Sequence, residues 1–134
     1  MSDLRRILLV DDDVEALEML YEFFTDEGYA VETAVDGTSA LDKLDRFAPD
    51  IVVTDYEMPG MSGVELMQLV QARHPGQAVL LVSAREDPLT GDQTLLGVAC
   101  LQKPVDLDDL SFVVRRLIDD ARRDLGGDAN LAMP

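Results

Sequence analysis

The chain has 134 residues, which is enough for one domain with a hydrophobic core and too few for two. Its 27 acidic and 11 basic residues give a net charge of −16, which disfavours direct binding to nucleic acids or anionic membranes. A single histidine and a single cysteine argue against His-rich metal sites, Ser-His-Asp catalysis and an internal disulfide, and the cysteine count fits the cytoplasm. No apolar run has the length of a membrane span, and the N-terminus has no signal-peptide pattern.

Apolar runs and helical periodicities alternate along the chain. Five short apolar or β-branched stretches predict β-strands: residues 7–10, 29–34, 51–55, 78–82 and 98–101. Five stretches with apolar side chains at helical spacing predict α-helices: residues 14–24, 40–48, 64–70, 85–96 and 107–121. This alternation predicts an α/β fold in which a doubly wound parallel sheet is covered by helices on both faces.

Capping residues mark several helix ends. Asp13 and Ser62 precede the first and third helices and are interpreted as their N-caps. Gly28 follows the first helix as a C-terminal cap, Pro49 stops the second, and His74 is interpreted as the C-terminal cap of the third.

Two segments have weaker patterns. Pro88 and Gly91 predict that the fourth helix is short or frayed. Residues 126–134 have no periodicity, so we expect one domain over residues 1–125 and a flexible tail over 126–134.

Polar residues follow four of the predicted strands. Asp11 and Asp12 follow the first strand, Asp55 ends the third, and Ser83 and Lys103 follow the fourth and fifth. Because parallel strands all end at the same edge of a sheet, these groups are expected to meet. Three carboxylates in one cleft need a cation, and hard oxygen ligands favour magnesium, Mg²⁺. A cation beside a hydroxyl and an ammonium predicts a phosphoryl-transfer site at which Asp55 attacks phosphorus.

The segments LLVDDD, TDYEMPGMSG, VSA and QKP carry these residues in this order. With them, the chain resembles the receiver domain of two-component response regulators, over roughly residues 4–123, and in particular the single-domain chemotaxis type. The resemblance implies a flavodoxin-like fold with five parallel strands in the order 2-1-3-4-5. It also implies a phosphorylation-dependent signalling switch in a phosphorelay. Such a protein is not an enzyme, apart from catalysing its own aspartyl phosphorylation and dephosphorylation.

The resemblance assigns a role to each polar residue. Asp55 is the phosphoacceptor, and Ser83 and Lys103 act beside it in the catalytic site. The Mg²⁺ ligands are the side chains of Asp12 and Asp55 and the backbone carbonyl of Glu57, and Asp11 acts mainly through a metal-bound water.

The resemblance also implies partners and an output. A sensor histidine kinase or a phosphotransfer protein would supply the phosphoryl group, and a downstream protein would receive the signal. The output surface is formed by the fourth helix, the fifth strand and the fifth helix, and a homodimer is a further option. The peptide before Pro104 is often cis in this family.

Three positions are expected to modulate the switch. We hypothesise that Glu57 and Arg85 pair across the mouth of the site and slow the entry of water; the alternative is two solvated charges of little effect. The family usually has an aromatic residue where this chain has Cys100, and the spacing from Ser83 to Lys103 is shorter than usual. We therefore expect signalling to rely more on a rearrangement of the fourth-helix segment. Cys100 is interpreted as a buried inert thiol in preference to a redox sensor.

Two other functions compete with a stand-alone receiver. One is a phosphatase that turns over through an aspartyl phosphate, because Asp36-Gly37-Thr38 resembles part of the DxDGT signature of haloacid-dehalogenase-like proteins. Ala34 occupies the position of their nucleophile, which removes the match. The other is a receiver that is a fragment of a larger regulator or hybrid kinase. The starting methionine and the lack of an effector after the fifth helix favour the stand-alone protein.

Overall fold

Five parallel strands form one sheet in the computed structural model, which describes residues 4–84 and 98–131. The strands are β1 (Arg6–Val10), β2 (Ala30–Ala34), β3 (Ile51–Asp55), β4 (Ala78–Ser83) and β5 (Val98–Gln102). They lie in the order β2-β1-β3-β4-β5, and each neighbouring pair is parallel. The predicted fold class and strand order are therefore confirmed.

Four helices belong to the described residues: α1 (Val14–Asp26), α2 (Gly37–Phe47), α3 (Gly63–Arg73) and α4 (Leu107–Leu131). The predicted first, second and third helices are α1, α2 and α3, and the predicted fifth helix is α4. The fourth predicted helix, over residues 85–96, lies outside the described residues. No helix in the described ranges combines the length and the apolar composition that a membrane span requires.

The central strands bury side chains on both faces of the sheet, which explains their continuous apolar sequences. On one face, Leu8 and Val52 pack with residues of α2 and α3. On the other face, Ile7, Leu9 and Val53 pack with residues of α1 and α4. Burial of each such side chain contributes roughly 1.5–3 kcal/mol, so these two cores fix the sheet and orient its carboxyl edge.

Side-chain caps fix where the helices of this edge begin. The Asp13 side chain accepts hydrogen bonds from the backbone N–H groups of Glu15 and Ala16, at 3.1 and 3.3 Å. Ser62 and Glu65 form a reciprocal capping box at the start of α3. The predicted caps Asp13 and Ser62 are confirmed.

The predicted C-terminal cap of α3 is also confirmed. His74 is the C-cap residue of α3, and its Nε2 lies 2.8 Å from Asp45 Oδ1 of α2. The only histidine of the chain therefore joins two helices far from the acidic edge.

The last helix is longer than its sequence pattern indicated. α4 continues to Leu131, whereas regular structure was expected to end before residue 126. Adding residues to an existing helix is far easier than starting one, so two glycines, each costing about 1 kcal/mol, do not end it. The division into a domain over 1–125 and a tail over 126–134 stays a prediction.

Candidate functional site

Three carboxylates meet at the carboxyl edge of the sheet. Because β1 and β3 are neighbours, Asp11 and Asp12 at the end of β1 lie beside Asp55 at the end of β3. Each side chain offers an oxygen atom, and these three atoms lie within 4.8 Å of one another. The Asp55 side chain is only 10% exposed. The structure therefore brings together the three acids that sequence reasoning selected.

Lys103 reaches the same edge from β5. Its backbone N–H donates to the carbonyl oxygen of Ser83 at 2.7 Å, which holds the end of β5 against the end of β4. Its Nζ lies 3.1 Å from Asp55 Oδ1. The peptide bond between Lys103 and Pro104 is cis. Lys103 and Asp55 are therefore in contact, as the sequence predicted.

Asp11 is held in place by its own backbone and by its neighbour. Its N–H donates to the carbonyl oxygen of Ala34 at 3.1 Å, and its Oδ1 accepts from the N–H of Asp13 at 3.0 Å. Burial raises the pKa of the Asp11 carboxyl above its ordinary value, and the negative charge of Asp55 adds to this effect. The hydrogen bond from Asp13 opposes the rise in pKa without cancelling it.

Burial and neighbouring charges shift the pKa of Lys103 in opposite directions. Partial burial alone would lower the pKa of the ammonium, but the hydrogen bond and the charge of Asp55 outweigh burial and raise it. Asp11 and Glu57 add to the rise in pKa through their charges. Lys103 is therefore a cation at neutral pH.

Gly63 controls how closely α3 approaches the site, a feature that sequence reasoning missed. Its N–H donates to the carbonyl oxygen of Tyr56 at 2.7 Å. A Cβ atom at Gly63 would lie 2.3 Å from the backbone oxygen of Asp55 and 2.8 Å from Cα of Tyr56. Only glycine allows this approach. The sequence did offer one sign of this role: Gly63 directly follows the N-cap Ser62, at a position where a larger residue could also begin a helix.

The remaining predicted site residues have different positions. Ser83 is fully buried at the end of β4, and Glu57 is exposed in the loop after Asp55. Arg85 lies outside the described residues, and so does its predicted pairing with Glu57. Cys100 is partly buried on β5 and packs against the core on the α2 and α3 side. Burial raises the pKa of its thiol.

Asp36, the acid of the phosphatase-like DGT segment, serves as a helix cap. Its side chain accepts a hydrogen bond of 2.8 Å from the N–H of Ser39 at the start of α2. This hydrogen bond lowers the pKa of the Asp36 carboxyl. The segment thus has a structural role in α2, and Asp36 is not one of the three clustered acids.

A cleft of about 650 Å³ connects the site to the surface between α1 and α4. Asp11, Asp12, Asp55 and Lys103 line one part of this cleft, and apolar side chains that include Leu17 line the rest. The Asp55 carboxylate is therefore accessible from this cleft despite its low exposure.

Comparison with known proteins agrees with this geometry. The family model of the response regulator receiver domain matches residues 7–115. The chain is 34% identical over 115 residues to the probable transcriptional regulatory protein TcrX of Mycobacterium tuberculosis, covering 84% of this chain and 49% of that protein. It is 30% identical over 115 residues to sporulation initiation phosphotransferase F of Bacillus subtilis, covering 84% of this chain and 93% of that protein.

A solved structure extends the comparison to the backbone. Response regulator protein TrrA of Thermotoga maritima, in complex with Mg²⁺-BeF, superposes with a TM-score of 0.78 at 31% identity. The match covers 85% of this chain and 99% of that chain.

Receiver domains are signalling domains of two-component systems and not classical enzymes, and they bind Mg²⁺ at an acidic pocket. Response regulators interact with histidine kinases or phosphotransfer proteins. This chain spans about half the length of TcrX, so the match concerns the receiver portion of such proteins. From the family match over most of its length and the cluster of acids at the sheet edge, the chain belongs to the response regulator receiver domain family.

Proposed function

We propose that this protein is a cytoplasmic signalling switch in which Asp55 accepts a phosphoryl group from a histidine kinase or a phosphotransfer protein. The observation that carries the proposal is the position of Asp55 between two other carboxylates and the Lys103 ammonium. A lone acid at a strand end would be an ordinary turn residue. An acid that shares its site with two further acids and a lysine is suited to hold a cation and an anionic group together.

The donor set fits Mg²⁺. The clustered side chains offer only carboxylate oxygens, which are hard ligands, and the three oxygens are close enough to share one ion. Asp12 and Asp55 would hold the metal directly, with the backbone carbonyl of Glu57 as a further ligand, and Asp11 would act mainly through a water on the metal. When bound, Mg²⁺ supplies positive charge against the oxygens of the phosphoryl group.

Asp55, Lys103 and Ser83 carry out the phosphoryl transfer in this proposal. An Asp55 carboxylate oxygen attacks phosphorus and forms an acyl phosphate, while the phosphorus–nitrogen bond of a phosphohistidine donor breaks and its electron pair returns to the imidazole. Lys103, already 3.1 Å from Asp55, neutralises charge that the phosphoryl oxygens bring into the site. Ser83 lies at the end of the neighbouring strand and would bind another phosphoryl oxygen.

The output is proposed to leave through the segment 85–97, β5 and α4. Cys100 occupies the β5 position at which relatives usually have an aromatic residue, so a steric swing of a ring is not available. In this proposal, a rearrangement of segment 85–97 transmits the signal instead of the ring. Amide hydrogen exchange with and without a phosphoryl mimic tests this proposal, and unchanged exchange over that segment contradicts it.

Glu57 and Arg85 are proposed to pair across the mouth of the site and to protect the acyl phosphate. Replacing either residue by alanine is then expected to speed dephosphorylation. Equal lifetimes of the phosphorylated wild type and both variants would show that the two charges are merely solvated.

Acetyl phosphate with MgCl₂ tests the central proposal. We expect one stable phosphoryl group per chain, located on Asp55 by mass spectrometry, and no label on Asp55→Asn or in the presence of EDTA. Asp36→Asn is the matched control, because it removes an acid that caps α2 outside the site, and it should label as the wild type does. Labelling of Asp55→Asn equal to that of the wild type would refute the proposal.

The same experiment separates the receiver from the phosphatase. A phosphatase would release phosphate from many small substrates over many turnovers, whereas a switch stops at one label. The capping role of Asp36 argues against the phosphatase. A receiver that belongs to a larger regulator, as the length of TcrX suggests, would label in the same way, and the single-domain chemotaxis type stays a prediction.

A further inference from the structure

A short stretch of backbone connects the proposed nucleophile to a proposed metal ligand. In the proposed site, Asp55 contributes its side chain and Glu57 its backbone carbonyl, so the backbone between them decides whether both reach one ion. Hydrogen bonds hold this backbone on both sides of the intervening residue. The Tyr56 N–H donates to the carbonyl oxygen of Val82 at 2.9 Å, and the Tyr56 carbonyl oxygen accepts from the N–H of Gly63 at 2.7 Å. The connection begins at the carbonyl group of Asp55.

Thr54 holds the carbonyl group of Asp55. It is the residue before Asp55 on β3, it is fully buried, and its Oγ1 donates to the Asp55 carbonyl oxygen at 3.0 Å. This hydrogen bond joins adjacent residues of one strand, so it does not tie two elements of the fold together, whereas the bond from Ser111 to Glu27 does. Its direct effect is therefore on the orientation of the Asp55 carbonyl.

The strand neighbours of Thr54 are apolar. In the sheet it lies level with Val10 of β1 and Leu81 of β4, and both of these residues are buried. A buried hydroxyl costs free energy unless it forms a hydrogen bond, and valine, which has nearly the same shape, would fill this position without that cost. Packing alone therefore does not require a hydroxyl here. The reason for the hydroxyl lies in the group that it binds, the backbone carbonyl of Asp55.

We propose that Thr54 is a positioning residue for the metal site: its hydroxyl fixes the carbonyl of Asp55 and, through the two peptide groups that follow, the direction of the Glu57 carbonyl. The inference rests on the proposed function, because it takes the Glu57 carbonyl as a ligand of Mg²⁺. Loss of the hydroxyl removes one of the three hydrogen bonds that hold this connection. Removing an outer partner of metal ligands typically lowers metal affinity by about 10- to 100-fold, and Thr54, which acts through the backbone, belongs at the lower end of this range.

Two substitutions separate positioning from packing. Thr54→Val removes the hydroxyl and keeps the size of the side chain, whereas Thr54→Ser keeps the hydroxyl and removes a methyl group from the core. The urea midpoint should fall more for serine, because it leaves a cavity. Mg²⁺ affinity, measured by calorimetric titration, should follow the opposite order: about tenfold weaker for valine and within about twofold of the wild type for serine. A Thr54→Val variant that binds Mg²⁺ as tightly as the wild type would overturn the proposal, and so would an affinity that falls in parallel with the urea midpoint.

The same titration distinguishes failure of this inference from failure of the proposed function. Thr33→Val is the matched control, because it makes the same change on β2, outside the three acids and outside the loop after Asp55, and it should bind Mg²⁺ as the wild type does. If the wild type binds Mg²⁺ no better than Asp12→Asn, the proposed metal site fails and this inference fails with it. If the wild type binds more tightly than Asp12→Asn while Thr54→Val matches the wild type, the metal site stands and only the inference fails.

Amide hydrogen exchange tests the positioning step without any metal. In the metal-free protein, the N–H groups of Tyr56 and Gly63 should exchange about fivefold faster in Thr54→Val than in the wild type, the factor that corresponds to the loss of one ordinary hydrogen bond. The N–H of Ser39, which Asp36 binds at the start of α2, is the internal control and should exchange at the same rate in both proteins. Unchanged exchange at Tyr56 and Gly63 would show that the Thr54 hydroxyl does not hold this backbone, and the proposal would fail.

Discussion

Lys103 and Asp55 belong to strands that are not neighbours, because β4 lies between β3 and β5. The long lysine side chain crosses the end of β4 to reach Asp55 Oδ1 at 3.1 Å. An ion pair whose lysine is 42% exposed contributes little to folding stability. Its consequence is local: a fixed positive charge stands beside the carboxylate that we propose as the nucleophile.

Gly63→Ala should impair both the fold and the site. The new Cβ would overlap the backbone oxygen of Asp55, so α3 or the end of β3 must shift, at a cost of about 1–3 kcal/mol. We expect a lower urea midpoint and a reduced yield of label from acetyl phosphate.

Gly76→Ala is the control for Gly63→Ala. Gly76 has φ +89° and nothing within 4 Å of an added Cβ, and it precedes β4 at the edge opposite the site. This variant should lose about 1–2 kcal/mol through backbone strain but label normally. Normal labelling of Gly63→Ala would show that the close approach of α3 is unimportant for the chemistry.

Cys100 should react slowly with alkylating agents in the folded protein. Burial raises its pKa, so less thiolate is present at a given pH than in the unfolded chain. The pH profile of iodoacetamide alkylation should therefore be displaced to higher pH relative to that of the chain in urea. Because the folded state retains the proton longer, this group makes stability fall as pH rises above the thiol pKa of the unfolded chain. Superimposable profiles would contradict the burial of the thiol.

Sequence reasoning found the acids and Lys103 because each directly follows an apolar run, and parallel topology then forces them to one edge. It did not find the role of Gly63, because the distance between α3 and the backbone of Asp55 depends on how two separate segments pack. The Ser111 hydroxyl likewise donates to Glu27 Oε1 at 2.7 Å, a contact between residues 84 positions apart that no local pattern indicates.

At the scale of elements, the site depends on where helices begin. α1 starts at the acids of β1 through the Asp13 cap, and α3 starts beside Asp55 through the capping box of Ser62. These starts were predictable because N-cap preferences are local. The end of α4 was not, because helix propagation through Gly126 and Gly127 depends on the helix that precedes them.

Ser62→Ala should destabilise the protein by about 0.5–2 kcal/mol. The substitution removes the acceptor for the N–H of Glu65, which lies 3.1 Å from Ser62 Oγ, and it leaves the first turn of α3 less ordered beside Gly63. Chemical unfolding measures the loss. Ser62→Asp keeps a capping oxygen and should retain most of the stability; equal losses in both variants would mean that the cap itself contributes nothing.

At the scale of the whole molecule, a net charge of −16 makes the folded chain repel itself, and the three clustered acids are the most concentrated part of that charge among the residues described. Any cation screens this repulsion in a general way. A cation that binds the cluster adds stability according to its concentration relative to its dissociation constant, about 2.7 kcal/mol at a hundredfold excess.

MgCl₂ should therefore raise the thermal midpoint of the wild type more than NaCl of equal ionic strength does. Asp12→Asn should lose most of this specific rise, since it removes one of the three oxygens that lie within 4.8 Å of one another. Asp13→Asn is the matched control, because Asp13 adjoins the cluster and caps α1 without belonging to it, and asparagine caps as well as aspartate. If Asp12→Asn and the wild type respond equally to Mg²⁺, the ion acts by screening the whole negative surface, and the acids at the carboxyl edge do not form a metal site.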